Sequence, residues 1–224
     1  MKLPQEVPVM TLPHATLFPQ ALLPLFIFEP RYRQMLVDSL NTSRMFSVAM
    51  QQPGRRRGTP SAVAGLGLIR VSVGHNDGTS HLILQGLARV ELAETVRYKP
   101  YRVQRIRPLT SPPCNDVVVD ALLAKVRELM EQWVELNLPL PHPFSPGAKP
   151  EAVEHTEFSP KEVLKYLDKL TDPEQVADLV SCAVLAGPVE RQTILETVNL
   201  EARLKHLIHF LMAEIHRQGK DKSQ

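Results

Sequence analysis

The stretch LPLFIFEPRYRQM, residues 23–35, combines the two kinds of local structure that the first half of the chain predicts. An apolar run over residues 22–28, interrupted by Pro24, predicts a short strand at an edge or a bend of a sheet. From Pro30 onward, apolar residues recur at three- and four-residue spacing as far as Leu40, which predicts a helix. Pro30 suits the first helical position, because the N–H that proline lacks would have no partner there. The stretch therefore predicts a strand that leads directly into a helix.

Short apolar segments separated by turn residues make up the rest of the first half. We expect further strands over residues 7–12, 45–50, 63–73, 81–84, 88–98 and 101–108. Gly86 is expected to separate the strand at 81–84 from the strand at 88–98. Gly65 and Gly67 predict a bulge or a close approach of neighbouring backbone. Several short strands joined by turns are typical of a small barrel or sandwich.

The hydrophobic period changes to that of a helix after Pro112 and Pro113. Residues 117–137 predict a long helix capped by Asn115 or Asp116, and a last helix is expected from Leu200. Between these, S-P-K-E at 159–162 and T-D-P-E at 171–174 predict two more helix starts. The chain is therefore predicted to be α+β. It should have a β-rich domain with one helix at residues 1–113, an α-helical domain at 114–218 and a frayed tail at 219–224.

The two halves differ in charge. Residues 1–113 hold 14 lysines and arginines against 6 acidic residues, a net charge of +8, whereas residues 114–224 carry −6. A basic half could attract acidic partners such as RNA, or the two halves could simply complement each other. For RNA, the predicted contacts are Arg55, Arg56 and Arg57 in an exposed loop. Arg97, Lys99, Arg102, Arg105 and Arg107 would extend that basic face, and Tyr98 and Tyr101 could stack on bases.

Several function classes have no support in the sequence. No apolar run approaches the roughly 18–20 residues that span a bilayer, and the first residues do not resemble a secretory signal. Cys114 and Cys182 cannot build a disulfide framework. We therefore expect a cytoplasmic protein with reduced thiols and no membrane partner.

Motifs of catalysis and cofactor binding are also missing from the sequence. It contains no G-x-x-x-x-G-K-[ST], G-x-S-x-G, H-E-x-x-H or G-x-G-x-x-G. His206, His209 and His216 have a spacing that could place ring nitrogens on one helix face, but no cysteine or Glu-x-x-His pattern accompanies them. We expect no catalytic residue, cofactor or metal, and hence no enzyme activity.

The order of motifs resembles the N-terminal substrate-binding domain of Lon proteases. L-F-P at 17–19 precedes LPLFIFEPRYRQM, and the resemblance continues through GLGLI at 65–69 and LILQGLARV at 82–90. It returns in D-P-E at 172–174 and in the segment from Ile194 to Leu204. The F-E-P-R-Y motif at 28–32 is the most specific part, and the resemblance covers nearly the whole chain.

The resemblance implies a PUA-like β pseudo-barrel followed by a helical bundle. It also implies a non-catalytic module that binds unfolded or exposed polypeptide segments and presents them to separate proteolytic machinery. Without a phosphate loop or a serine–lysine dyad, the chain looks like a free-standing member of the family. The polypeptide would bind in a hydrophobic groove between the halves or by strand addition at a proline-bounded edge. The alternative is an RNA-binding protein that uses its basic PUA-like half.

We interpret the F-E-P-R-Y motif, Phe28 to Tyr32, as mainly structural. Phe28 should end the strand, Tyr32 should face the core, and Glu29 should reach the free N–H groups of the first helical turn. Arg31 or Arg33 would pair with Glu29 or point to solvent, where either could also contact a partner. On this interpretation, Glu29→Ala would cost about 0.5–2 kcal/mol of stability.

Overall fold

The computed structural model describes residues 2–55, 58–140 and 159–221, and the chain divides into two compact units, Met1–Thr110 and Ser111–Gln224. The first unit is a sheet with one helix, and the second is helical, which confirms the predicted α+β class. In chain order, the described elements of the first unit are β1 (Glu6–Leu12), β2 (Leu22–Ile27), α1 (Pro30–Leu40), β3 (Met45–Met50), β4 (Val63–Gly74), β5 (Ser80–Arg97) and β6 (Arg102–Pro108).

Five strands of the first unit form a closed ring. The sheet order is β2-β5-β4-β3-β1-β6, and β6 also pairs with β5, which closes the ring and leaves β2 outside it. The β1–β3 pair is parallel, and every other pair is antiparallel. Apolar side chains fill the ring: Val7, Val9, Met45, Ala49, Ala64, Leu66, Val90, Leu92 and Ile106. The closed ring gives the unit its core, and β2 is an appended strand.

The prediction that Gly86 separates two strands is wrong, because β5 is continuous from Ser80 to Arg97. Its first part pairs with β2 and its second part with β6, while β4 pairs along most of its length. Gly86 lets the neighbouring chain come close: its N–H donates to Ala21 O, and a Cβ there would collide with the carbonyl oxygen of Phe18. The glycine therefore marks a close backbone approach within a strand.

Gly65 also lies where another part of the backbone comes close, as the sequence predicted. A Cβ on Gly65 would overlap the carbonyl oxygen of Leu17, and the β4–β5 register shifts between Leu66 and Gly67. Both alternatives predicted for this glycine pair, a close approach and a bulge, are therefore present.

The second unit contains five described helices: α2 (Asp116–Glu135), α3 (Pro160–Leu167), α4 (Pro173–Val184), α5 (Pro188–Glu196) and α6 (Leu200–Asp221). Asn115 caps α2, and Ser159 forms a full capping box with Glu162 at α3, as predicted. The sequence analysis predicted no helix between the one that starts at 171–174 and the one from Leu200, so α5 was missed. Pro188 is the first residue of α5.

Arg203 on α6 is buried in the second unit and contacts several of its segments. Its side chain is 1 % exposed and faces the carboxylates of Glu174 and Asp178 on α4, at 3.4 and 3.6 Å. Its Nη2 also donates to Val198 O at 2.8 Å and to Ser111 Oγ at 3.2 Å. This buried cation therefore joins α4, α6 and the first residue of the unit.

The long helices do not have the character of membrane spans. Among the described residues, no helix combines the length and apolar content needed to cross a bilayer. At the C-terminal end, α6 continues to Asp221, so the segment expected to fray begins in helix, and residues 222–224 lie outside the described part of the chain.

Candidate functional site

Phe26 and Phe28 lie on the surface of the first unit, where their side chains are 49 % and 59 % exposed. The two rings stack with their centroids 5.8 Å apart, and Phe26 also contacts the ring of His81 at 4.7 Å. His81 in turn meets His75 edge-on, with 2.7 Å between His75 Nε2 and His81 Nδ1. The four rings form a continuous aromatic cluster in contact with solvent.

Strand register extends this cluster into a wider surface. Phe26 pairs with His81, and His81 pairs with Val73; in the neighbouring row, Pro24 pairs with Ile83 and Ile83 with Val71. Because side chains alternate along a strand, residues two positions apart share a face. We call this surface the apolar face and define it by Leu22, Pro24, Phe26, Phe28, Val71, Val73, His81 and Ile83, all of which are exposed.

The opposite side of the same strands is buried. Leu23 and Ile27 of β2, and Leu82 and Leu84 of β5, are at most 6 % exposed. Strand β2 is thus apolar on both sides, although only one side packs into the unit. Sequence analysis gave Phe28 a structural role and did not predict the apolar face. A strand that is apolar at consecutive positions is the signal that could have revealed it.

Strand β2 is also an edge. Among the described strands it pairs only with β5, so its outer backbone groups have no partner strand. Pro24 lies in the middle of this edge, where a proline is tolerated because its nitrogen faces away from the paired neighbour. The outer edge therefore lacks a hydrogen-bond donor at its centre, which weakens it as a template for an added strand.

The F-E-P-R-Y motif lies at the end of this strand. Phe28 follows β2 rather than ending it, and Pro30 is the first residue of α1, as predicted. The prediction that the Glu29 side chain caps α1 is wrong, because that side chain makes no capping hydrogen bond. Glu29 caps through its backbone, whose carbonyl accepts from Tyr32 N and Arg33 N at 2.9 Å. The long glutamate side chain extends past the helix end, where shorter Ser, Thr, Asp or Asn side chains cap.

The three remaining motif positions have separate roles. Arg31 donates from Nε to Glu29 Oε2 at 2.9 Å on the surface. Tyr32 is buried, as predicted, and its hydroxyl donates to Thr11 O and accepts from Thr11 N, both at 3.2 Å. The guanidinium of Arg33 packs over Gly78 in the turn between β4 and β5, where a Cβ would collide with it. Arg33 therefore supports the hairpin that carries His75 and His81.

The predicted basic face is only partly present. Arg105 of β6 pairs with Glu6 at 3.3 Å and Glu94 at 3.0 Å, and Arg107 pairs with Glu91 at 2.9 Å. Arg55 is exposed in its loop, whereas Arg56 and Arg57 lie outside the described residues. Because glutamates neutralise two of the β6 arginines, this strand does not offer the contiguous basic surface that the RNA hypothesis needs.

Arg102 differs from its neighbours on β6. It lines a cavity of about 140 Å³ together with Arg31, Tyr32, Tyr98 and Tyr101. Tyr101 donates to Asp38 Oδ2 at 2.5 Å, and this hydrogen bond lowers the pKa of Asp38 below its usual value. A hydrogen bond from Gln34 lowers the same pKa to a smaller extent. Burial raises the pKa of Tyr32 above its usual value.

The histidines considered as metal ligands do not converge. His206, His209 and His216 are exposed on α6, and two of them lie beside Phe210. In the part of the chain that the structure describes, no three His, Cys, Asp or Glu side chains are grouped closely enough to hold a metal ion.

Comparison with solved structures identifies the fold. The N-terminal domain of a Mycobacterium avium complex Lon protease superimposes with a TM-score of 0.70 at 17 % identity, over 92 % of this chain and 98 % of that one. A Lon N-terminal domain protein from Xanthomonas campestris gives a TM-score of 0.57 at 20 % identity, with the same coverage of both chains. At these identities the likeness concerns the fold alone.

Sequence relatives are longer proteins. Lon protease from Desulfosudis oleivorans is 23 % identical over 91 % of this chain and 23 % of its own length. Lon protease 2 from Myxococcus xanthus is 27 % identical over 93 % of this chain and 24 % of its own length. The chain thus spans about a quarter of the curated relatives it matches. The family model of the ATP-dependent protease La (LON) substrate-binding domain matches residues 6–213, and the chain belongs to this family.

Proposed function

We propose that this protein recognises exposed apolar segments of unfolded polypeptides on its apolar face and presents them to separate proteolytic machinery. The observation that carries the proposal is the contiguous exposed surface centred on Phe26, Phe28 and Ile83. Folded monomers rarely leave such a surface uncovered unless it binds something. Membership of the family also supports a role in binding polypeptide substrates, because the family is named for the substrate-binding domain of Lon.

Aromatic rings make this face suited to unfolded chains. Phe26 and Phe28 are already stacked, so little side-chain freedom is lost when a ligand packs on them. An unfolded polypeptide displays the apolar side chains that a folded one buries, and apolar contact is tolerant of sequence. This face would therefore bind polypeptides whose apolar side chains are exposed, whatever their particular sequence.

Side-chain packing on the face is a better route than strand addition. Strand addition needs a row of free donors and acceptors, and Pro24 removes a donor from the middle of the β2 edge. The apolar face, in contrast, spans three adjacent strands and needs no backbone register with its ligand. We therefore assign the binding to the side chains of β2, β4 and β5.

A binding measurement with a double variant tests this assignment. A fluorescently labelled, permanently unfolded polypeptide is titrated with wild type and with Phe26→Ser/Phe28→Ser, and anisotropy is recorded. Burying the exposed parts of two phenylalanines is worth on the order of 1–3 kcal/mol, so we expect affinity to fall about 5- to 150-fold. The matched control is Tyr166→Ser, which removes an aromatic side chain with 55 % exposure from α3.

The control and the salt dependence make the test decisive. Tyr166→Ser should bind like wild type, and raising the salt concentration should weaken apolar binding little. If the double variant is folded by circular dichroism yet binds as tightly as wild type, the apolar face is not the site. Tight binding of single-stranded RNA that disappears at high salt would favour the alternative function.

Presentation to a protease needs a separate experiment in the native cell. Affinity capture of the tagged protein, followed by mass spectrometry and RNA sequencing, should recover a peptidase together with varied client proteins. The Phe26→Ser/Phe28→Ser variant should lose the clients but keep the peptidase. Recovery of ribosomal RNA alone would contradict the proposal.

A further inference from the structure

A second candidate surface is the cavity of about 140 Å³ in the first unit that Arg31 and Arg102 line. Tyr32, Tyr98 and Tyr101 supply the aromatic part of its wall. Two arginines therefore line one small space, and positive charges brought together in this way favour an anion between them.

The guanidinium group of Arg102 can still donate hydrogen bonds to such an anion. Its Nη1 lies 3.4 Å from Thr95 Oγ1 and its Nη2 lies 3.2 Å from Gly58 O, which are both long hydrogen bonds to neutral groups. Within the described ranges Arg102 forms no ion pair, whereas Arg105, on the same strand, pairs with two glutamates. No described carboxylate therefore lies within 4 Å of the side-chain nitrogens of Arg102.

Arg31 provides the second guanidinium. Its ion pair with Glu29 uses Nε, and the two terminal nitrogens of an arginine carry four of its five N–H donors. Both guanidinium groups also lie over aromatic rings: Arg31 Cζ is 4.4 Å from the Tyr32 ring centre, and Arg102 Cζ is 5.1 Å from that of Tyr98. Stacking holds a planar guanidinium in place, so less freedom is lost when it binds.

The shape of the donors selects the ligand chemistry. Guanidinium groups present paired N–H donors that match the two oxygens of a carboxylate. A cavity of about 140 Å³ admits such a group on a short stem. Carboxylates are the common anions of polypeptides, which the proposed function takes as ligands. They come from two sources, the chain terminus and the side chains of Asp and Glu.

We propose that the Arg31–Arg102 cavity binds a carboxylate group of the polypeptide that the apolar face recognises; the identity of the ligand rests on the proposed function. The F-E-P-R-Y motif joins the two surfaces, because Phe28 belongs to the apolar face and Arg31 to the cavity. Three residues of chain span at most about 11 Å. The preferred segment would therefore carry a carboxylate about three or four extended residues from an apolar side chain.

Nuclear magnetic resonance with minimal probes tests the cavity without involving the apolar face. N-acetylalanine carries a terminal carboxylate, N-acetylglutamic acid α-amide carries a side-chain carboxylate, and N-acetylalaninamide carries none. We expect saturable shifts of the Tyr98, Tyr101 and Arg102 amide signals with at least one of the two acids and none with the neutral amide. The acid that saturates at the lower concentration identifies the source, and equal responses would mean that both are accepted.

Substitutions locate the effect. Arg102→Gln, and independently Arg31→Gln, should weaken the response at least tenfold, whereas Arg105→Gln removes an arginine that is already paired and should behave like wild type. Circular dichroism checks that each variant is folded, and the second cavity variant keeps the test valid if the first is not.

Several results would overturn the carboxylate assignment. These are equal shifts with the neutral amide, unchanged shifts in both folded cavity variants, or saturation by inorganic phosphate without any response to either acid. The probes have no apolar segment, so the two proposals can fail separately. Loss of the carboxylate response leaves the Phe26→Ser/Phe28→Ser result unaffected, and the reverse also holds.

Discussion

The two units of this protein use the same residue types in opposite ways. In the first unit, large apolar side chains form one continuous exposed face, and Arg102 meets a cavity without a described carboxylate partner. In the second unit, Arg203 is buried between two carboxylates. The exposed large apolar residues there are distributed over four helices and the C-terminal end of α2: Val117, Leu136, Tyr166, Val189 and Met212. Scattered apolar residues are ordinary, whereas a continuous patch marks an interaction site. If the proposed function is right, this comparison favours the first unit as the place where the ligand binds.

The largest effect is expected from the buried cation. Arg203→Met leaves the carboxylates of Glu174 and Asp178 without their cation, and breaking a buried pair in this way costs about 3–5 kcal/mol. Arg102→Met, in the first unit, loses hydrogen bonds to neutral groups but no described ion pair, so it should cost less, about 0.5–1.5 kcal/mol.

Urea unfolding measures both variants. Trp133, the single tryptophan of the chain, lies buried in the second unit, so its fluorescence follows the unit that contains Arg203. Circular dichroism follows the Arg102 variant. A cost below about 1 kcal/mol for Arg203→Met would show that the buried charges are dispensable, and the contrast between the units would fail.

An intermediate effect is expected at Tyr101, whose hydroxyl donates to Asp38 in the first unit. Tyr101→Phe should cost about 1 kcal/mol at neutral pH, because it removes a hydrogen bond to a carboxylate that is partly solvated. That hydrogen bond lowers the folded-state pKa of Asp38, so its stabilisation is complete above the unfolded pKa of about 4 and is lost as pH falls through the lower folded value. The difference between wild type and variant should therefore shrink below about pH 4.

Urea titrations at several pH values, followed by circular dichroism, measure this difference. Tyr98→Phe is the matched control, since it removes the same hydroxyl group from a side chain that is 68 % exposed. A Tyr101→Phe difference that stays constant from neutral pH into the acid range would contradict the role assigned to Asp38.

The smallest effect on stability is expected from Glu29→Ala, for which the structure lowers the cost predicted from the sequence. An exposed pair with Arg31 is worth little, so Glu29→Ala should cost about 0–0.5 kcal/mol rather than the 0.5–2 kcal/mol of a side-chain cap. Asp172 provides the comparison in the second unit, because its side chain accepts from Glu174 N at 2.9 Å. Asp172→Ala should therefore cost about 1 kcal/mol.

Thermal or urea unfolding of the two alanine variants, each monitored against wild type, gives the comparison directly. Equal losses for Glu29→Ala and Asp172→Ala would mean that the Glu29 side chain caps α1 in solution, and the structural assignment of the motif would have to be revised.

Local signals in the sequence determined much of the fold. Proline at the first position of α1, the Asn115 cap and the Ser159 capping box depend on residues within one helical turn of each other. Strand β3 was predicted with its observed bounds, Met45–Met50, because its neighbours in sequence are turn residues. The α+β class and the family resemblance follow from such short-range patterns, since each needs only adjacent residues to be recognised.

Only the tertiary structure decided which charges and which apolar residues remain free. Arg105 and Glu6 are 99 positions apart and meet because β1 pairs with β6, whereas Arg102, on the same strand, faces a cavity. Phe26 is exposed because β2 lies outside the closed ring, and this follows from the pairing of β5 with β2 along its first part and with β6 along its second. The physical reason is that ion pairs and burial depend on strand register across the whole unit, which no local pattern encodes.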